Sequence, residues 1–254
     1  MKAIIRTNLI KQVTTDSGSL GTLSTIAHKF SEKGGYHGEI LHGKQVVGRF
    51  EIEVSPTNPS ITEAHKKHVT KAEIDLSQLH APSGTKSGVA SFQIEEGGYA
   101  VFRVPADSNG GYSIEVFKVG ESDKGAVVFD SRKLTNDDYL SIIVLRPGVY
   151  SVANALTGEH RRAELTVAYP EKALRALEPV RVRCTKDGFV PEKIRLDPMQ
   201  GLVFSFEAPS RIVTELLTPD DRQTKRPLFS RPKKISGEGR KKIARRFASL
   251  HIPG

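Results

Sequence analysis

Residues 89–104 read VASFQIEEGGYAVFRV, two short apolar runs on either side of Gly97 and Gly98. Short runs rich in β-branched and aromatic residues, broken by glycine, are typical of two strands joined by a tight turn. Five further runs of this kind follow, and Gly, Pro, Asn or Asp separates most of them: YSIEVFKV, GAVVFD, YLSIIVL, GVYSVAN and AELTVAY. Seven short strands between residues 89 and 169 predict an antiparallel sandwich or barrel.

The β pattern continues on both sides of this stretch. Residues 38–54 predict a hairpin, because from Val47 onwards polar and apolar residues alternate as they do in a half-buried strand. Residues 72–79 predict another strand. Three more follow after residue 179, in VRVRC, KIRLD and GLVFSFEAP.

Two short helices are predicted between the strands. Ser60 and Glu63 fit a capping box, in which each side chain satisfies an amide at the start of a helix, so we expect a helix over 61–70. The segment EKALRALE at 171–178 lies between two prolines and predicts a helical connector. The fold class predicted is therefore mostly β, as one or more antiparallel β-sandwiches with one or two short helices and a basic, flexible C-terminal tail.

The chain divides into four regions by pattern and charge. The predicted regions are a β-rich part with a short helix at 1–84, a β-sandwich at 85–170, additional strands at 171–221 and a basic tail at 222–254. The strands of 171–221 either complete the preceding sheet or form part of a second sandwich. An internal repeat favours tandem units, because 92–104 and 193–206 both run strand, tight turn and strand.

Two segments resemble cupredoxin-like domains. DGFVPEKIRLDPMQGLVFSF (187–206) resembles their opening hairpin, with matching residues at Phe189, Pro191, Ile194, Leu196, Gly201, Val203 and Phe204. RPGVYSVANALTGEHRRAELTV (146–167) resembles their closing part. The resemblance implies a sandwich fold without copper, since Ala153 or Asn154 stands where a blue-copper site needs its cysteine.

Charge is distributed very unevenly along the chain. The formal net charge is +9, yet residues 222–246 alone carry eleven Lys or Arg and one acidic residue, Glu238, a balance of +10. The rest of the chain is close to neutral at −1. A charged segment of this kind, spaced by proline and glycine, is typical of a tail that orders only on binding a partner.

Six of the eight histidines lie between residues 28 and 80. His37 and Glu39 would share one face of a strand, and His65 and His68 one face of the predicted helix. His42 would point to the other face of its strand unless a bulge at Gly43 reorients it. If strand and helix met, His37, Glu39, His65 and His68 could bind a divalent transition metal. The alternative is a solvated polar edge, because the two lysines between His65 and His68 would repel a cation.

Other chemistry is poorly represented. Cys184 is the only cysteine, which excludes an intrachain disulfide and a cysteine-based zinc site, and its position in an alternating strand predicts a buried thiol. No serine lies in a nucleophile elbow. The N-terminus lacks a signal-peptide pattern and no run reaches 18 apolar residues, so we expect a cytoplasmic protein with no transmembrane segment.

We therefore expect a non-enzymatic structural or binding protein that needs no cofactor and docks on an acidic protein surface or larger assembly through its tail. The partner-binding residues predicted are Arg231, Lys233, Lys234, Arg240, Lys241, Lys242, Arg245, Arg246, Phe247 and Leu250. One alternative is a metal-dependent enzyme or metal carrier that uses the histidines. The other is a nucleic-acid-binding accessory protein, whose tail would neutralise phosphates.

Overall fold

The structure is a computed structural model that describes residues 12–56, 70–79, 89–120, 125–157, 161–169 and 177–221. Seventeen strands and no helix occur in these ranges. The strands are β1 (Thr14–Asp16), β2 (Thr25–Lys29), β3 (Gly34–His42), β4 (Gln45–Ser55), β5 (Lys71–Asp75), β6 (Ala90–Glu95), β7 (Tyr99–Arg103), β8 (Tyr112–Lys118), β9 (Val127–Asp130), β10 (Asp138–Ile143), β11 (Gly148–Asn154), β12 (Arg162–Val167), β13 (Val180–Thr185), β14 (Gly188–Val190), β15 (Lys193–Leu196), β16 (Gly201–Phe206) and β17 (Ile212–Pro219).

The mostly β class is confirmed within the described residues. The helix predicted over 61–70 and the connector predicted over 171–178 lie outside them except for their last one or two residues, which are not helical. The basic tail at 222–254 also lies outside the described residues, which end at Asp221.

The strands form three sheets. A seven-stranded sheet has the order β14-β13-β16-β10-β2-β7-β5, and the two five-stranded sheets have the orders β6-β4-β3-β8-β9 and β1-β17-β11-β12-β15. The seven-stranded sheet takes strands from all three predicted regions before the tail, so boundaries at residues 84 and 170 do not coincide with sheet edges.

The prediction of an antiparallel architecture is wrong for four strand pairs. β4 pairs with β6, β5 with β7, β12 with β15 and β13 with β16, all in parallel. The two strands of each parallel pair are not consecutive in the chain. Between them the chain crosses to another sheet and then returns beside the earlier strand. The tight turns at 95–98 and 197–200 therefore link strands of different sheets rather than the two arms of one hairpin.

These parallel pairs reveal two structural repeats. The first repeat comprises residues 13–119 and the second comprises residues 127–219. Strands β2 to β8 of the first repeat follow each other, and pair with each other, in the same way as seven strands of the second repeat, namely β10, β11, β12, β13, β15, β16 and β17. The equivalent strands β2 and β10 lie side by side, antiparallel, with Ile26 opposite Leu140. An antiparallel pair of equivalent strands relates the two repeats by an approximate two-fold axis through this residue pair.

The stretches 92–104 and 193–206, which share a pattern in the sequence, occupy equivalent places in the two repeats. Phe92 lies opposite Ile52 in the first repeat, as Ile194 lies opposite Leu165 in the second. The turn that follows has a positive φ in both, 83° at Gly97 and 70° at Met199. A left-handed backbone at methionine is unfavourable, so the turn geometry is set by the fold around it.

Each repeat donates its first strand to the other. β9 opens the second repeat but pairs with β8 of the first, and β1 opens the first repeat but pairs with β17 of the second. Both donated strands continue into the motif Asp-Ser-x-x-Leu, as DSGSL at 16–20 and DSRKL at 130–134. The two serines make equivalent bonds, since Ser17 Oγ accepts from Ile212 N at 3.1 Å and Ser131 Oγ accepts from Ile114 N at 3.0 Å.

The buried apolar side chains of the three sheets form one continuous cluster. Phe102 on β7 lies 5.6 Å from Phe50 on β4 and stacks on Phe129 of the donated strand β9 at 5.4 Å, measured between ring centroids. The ring of Phe50 covers Gly38, where a Cβ atom would collide with it. Burial of each such ring stabilises the fold by roughly 1.5–3 kcal/mol, so the donated strand β9 is held by the core as well as by hydrogen bonds.

The equivalent strands β3 and β11 both begin with a Gly-x-Tyr sequence, at Gly34–Tyr36 and Gly148–Tyr150. Both glycines have a left-handed or mirror-β φ, 135° and 152°. The Tyr36 hydroxyl donates to the carbonyl of Glu32 and the Tyr150 hydroxyl to the carbonyl of Arg146, each at 2.7 Å and each four residues upstream. Burial raises the pKa of Tyr150 to about 12, which keeps its hydroxyl protonated and able to donate.

We predict that Tyr36→Phe and Tyr150→Phe destabilise the protein equally, by about 1 kcal/mol each, since each removes one hydrogen bond of the same geometry. The double variant should lose the sum of the two, because the sites are far apart in sequence and share no partner. Urea denaturation measures these free energies of unfolding. Tyr139→Phe, at a half-exposed position, is the control. Single-variant losses that differ by more than about 1 kcal/mol would contradict the equivalence.

Candidate functional site

Two of the four predicted metal ligands lie on the exposed face of β3. His37 and Glu39 alternate with the buried Tyr36, Gly38 and Ile40, so they share a face as predicted. His42 lies at the end of the strand, 5.8 Å from the ring of Tyr112, on the face opposite His37. His65 and His68 lie outside the described residues.

The side chains of His37 and Glu39 are engaged by neighbouring strands. The His37 ring stacks on Phe117 of β8, with 4.9 Å between centroids and 13° between ring planes. The Glu39 carboxylate accepts from Arg49 Nε of β4 at 3.0 Å. Across the described ranges, no group of three or more His, Cys, Asp or Glu side chains is close enough to hold a metal ion.

We expect the divalent metal content of the purified, untagged protein to be unchanged by the variant His37→Ala/Glu39→Gln, because these side chains already bind Phe117 and Arg49. Elemental analysis of both proteins measures this. Arg49→Gln is the matched control, since it releases Glu39 without removing a ligand. A stoichiometric metal that is present in the parent protein and lost in the double variant would restore the metal-site hypothesis.

A buried histidine and aspartate join the two repeats. His28 Nδ1 on β2 lies 2.6 Å from Asp138 Oδ1 on β10, and both side chains are almost fully buried. The other Asp138 oxygen accepts from Thr135 N at 2.6 Å. The His28 ring contacts Phe30 and Phe129, each 4.8 Å away between centroids. Aromatic rings thus flank the pair on two sides, and the pair connects adjacent strands of the two repeats.

Sequence reasoning missed this pair, although the signal was present. In STIAHKF, Ile26, His28 and Phe30 alternate with polar or small residues, which places His28 on the buried side of a strand. A buried histidine requires a hydrogen-bonding partner. The partner comes from 110 residues further along the chain, and nothing local in the sequence identifies it.

We predict that Asp138→Ala destabilises the protein by about 3 kcal/mol, since it leaves the buried His28 and the partly buried Thr135 amide without their shared acceptor. Asp137→Ala, at the exposed neighbouring position, should change the free energy of unfolding by less than about 0.5 kcal/mol. Chemical denaturation compares the two. Equal effects of the two substitutions would show that the buried pair does not hold the repeats together.

Charged side chains cluster where the donated strands end. Arg211 donates to both carboxylate oxygens of Asp16, at 2.9 and 2.7 Å, and this bond raises the pKa of Arg211. Arg132 donates in the same bidentate way to Asp130, the equivalent of Asp16, and also pairs with Glu115. Burial raises the pKa of Asp130, although Arg211 and Lys133 oppose this. The cluster ties both donated strands to their acceptor sheets.

The outer face of β11 carries a shallow groove of about 250 Å³. Its floor is formed by small side chains, among them Ser151 and Ala153, and Arg162 and Glu215 lie along its sides. In the first repeat the equivalent positions are occupied by larger side chains, which contact each other as the pairs His37–Phe117 and Glu39–Arg49.

The seven-stranded sheet presents a second exposed surface. Along β2, β7, β10 and β16 alternate residues are buried, while the residues between them are partly exposed and include no acidic side chain. We call the outward-facing residues of β5, β7, β2, β10, β16 and β13 the open face. Near its centre Tyr139 is 41% exposed and lies 6.2 Å from the ring of Tyr99.

Cys184 is buried as predicted, and burial raises the pKa of its thiol to about 12. The thiolate is the reactive form of cysteine, so a thiol with this pKa is inert near neutral pH. The predicted tail residues, from Arg231 to Leu250, lie outside the described residues.

Comparison of the chain with protein-family models, with curated proteins and with solved structures gave no significant match.

Proposed function

We propose that this chain is a non-enzymatic binding protein, a β-sandwich scaffold whose basic tail docks on an acidic protein surface or a larger assembly. The observation that carries the proposal is the separation of charge along the chain. Residues 222–246 hold a balance of +10, whereas the remainder is at −1. A segment with this charge attracts an acidic surface over about 10 Å at ordinary ionic strength and speeds encounter with it.

The charges of the scaffold support this assignment. The described residues include 18 Lys or Arg and 23 Asp or Glu, a balance of −5. Several of the arginines are held by carboxylates of the same scaffold, such as Arg211 by Asp16 and Arg132 by Asp130. Cationic attraction of a partner is thus a property of the tail rather than of the scaffold.

We also propose that the scaffold is a β-sandwich and that the protein is cytoplasmic. Contacts such as Phe50–Phe102 between two sheets support a sandwich, and the cupredoxin-like resemblance of 146–167 and 187–206 stays a prediction about fold. A single buried cysteine suits a cytoplasmic setting. Among the described residues there is no helix with the length and apolar character needed to cross a membrane.

The test compares the full chain with a chain that ends at Asp221. Each is used to capture partners from nuclease-treated extract, and the captured protein is then purified and titrated against both forms. We expect the full chain to bind at least about tenfold more tightly, with an advantage that falls as salt rises from about 50 to about 500 mM. Equal affinity of the two forms would overturn the proposal.

Two tail variants separate a protein partner from nucleic acid. Lys241→Gln/Lys242→Gln/Arg245→Gln/Arg246→Gln should weaken binding in either case, because both depend on charge. Phe247→Ala/Leu250→Ala keeps every charge and should weaken only a protein complex, whose affinity includes apolar anchors. If the second variant binds as the parent does, and a partner captured from untreated extract is lost after nuclease treatment, the nucleic-acid alternative replaces the proposal.

A further inference from the structure

The open face is organised as two rows that cross six strands. From the strand registers, the first row runs Arg183, Ser205, Tyr139, Ala27, Val101 and Glu73. The second row runs Arg181, Val203, Ser141, Thr25, Arg103 and Asp75. Both rows therefore begin with an arginine on β13 and end with a carboxylate on β5.

This polarity arises where the two repeats differ. β5 and β13 are equivalent strands, because each lies parallel to the strand that follows its repeat's tight turn. At equivalent positions the first repeat has Glu73 and Asp75, whereas the second has Arg181 and Arg183. The backbone is close to two-fold symmetric, and the charge on it is opposite at the two ends.

A surface with such rows is complementary to itself. Suppose a second copy is placed face to face, related by a two-fold axis that runs parallel to the strands between β2 and β10. Each row then meets the same row of the other copy in reverse, so Arg183 faces Glu73 and Arg181 faces Asp75 of the second copy. Tyr139, the bulky residue near the centre, faces the small Ala27. A two-fold axis perpendicular to the strands would instead bring arginines against arginines.

The composition and size of the open face suit a specific interface. The middle of its two rows holds Thr25, Ala27, Val101, Tyr139, Ser141, Val203 and Ser205, which carry no charge. Charged residues lie around them, with Arg103 near the end of one row and Lys29 of β2 beside the rows, as in the core and rim of interfaces. Six strands about 4.8 Å apart and about 17 Å long cover roughly 500 Å² per copy. The total of about 1,000 Å² is at the small end of specific interfaces, where affinities are modest.

The charged residues are already paired within one copy, but weakly. Arg183 lies 3.0 Å from Glu207, Lys71 lies 2.7 Å from Glu73 and Arg103 lies 3.5 Å from Asp75. The Arg183–Glu207 and Lys71–Glu73 pairs are largely exposed, whereas Asp75 is mostly buried beside the half-exposed Arg103. Exposed pairs contribute little to stability, and a carboxylate can accept from a second donor. We propose that the open face binds a second copy of this chain to form a two-fold dimer, in which Arg183 and Arg181 pair with Glu73 and Asp75 of the other copy.

Light scattering coupled to size exclusion tests the dimer on the full chain, from about 1 to about 200 µM and at about 50 mM salt. We expect the mass to rise from that of the 27.9 kDa chain towards twice that value as concentration increases. Arg183→Glu should weaken dimerisation at least about tenfold, because it opposes two acidic side chains across the interface. Arg49→Glu, on the exposed face of another sheet, is the matched control and should leave the dimer unchanged.

The decisive variant exchanges both charges. Arg183→Glu/Glu73→Arg restores complementarity only if residue 183 of one copy faces residue 73 of the other, so we expect it to recover most of the lost affinity. Tyr139→Lys should abolish the dimer without changing thermal stability. A chain that stays monomeric at the highest concentration, or a double variant no better than Arg183→Glu, would overturn the proposal. The outcome is independent of the tail, which is intact in every variant.

Discussion

The pairing of β2 with β10 is the interaction on which the rest of the structure depends. These two strands are equivalent in the two repeats. Their antiparallel pairing joins a four-stranded part and a three-stranded part into one seven-stranded sheet. The register also brings His28 against Asp138, so a slip by one residue would bury a charged group without its partner. Register and polar pairing therefore specify each other.

Exchange of the first strands follows from the same arrangement. Once β2 and β10 are side by side, the segments that precede them lie close to the opposite repeat. Each segment adds to the edge of the neighbouring sheet, where its Asp-Ser-x-x-Leu motif supplies equivalent bonds. The two halves are thereby linked through three elements, namely the shared sheet, β1 and β9. Separation of the halves would expose both donated strands as well as the pair at His28.

The strands were largely predictable from sequence because apolar alternation and glycine turns are local signals. The stretch 89–104 forms two strands as expected, but they lie in different sheets, since alternation does not say which strand is the neighbour. The similarity of 92–104 to 193–206 indicated a repeat. The full length of the repeat could not be predicted from sequence, because the equivalent motifs at 16–20 and 130–134 share only three residues. Among the predicted metal ligands, the common face of His37 and Glu39 followed from strand periodicity, whereas their contacts with Phe117 and Arg49 depend on cross-strand register.

The exchange of β1 between the two repeats can be tested directly by a disulfide cross-link. Thr14 on β1 lies directly opposite Glu215 on β17, and opposed residues of antiparallel strands are close enough for a disulfide. The measurement is oxidation of the variant Thr14→Cys/Glu215→Cys in a Cys184→Ala background, followed by peptide mapping. We expect a disulfide within a single chain, formed without loss of thermal stability. Free thiols in the folded protein, or a bond only between two chains, would contradict it.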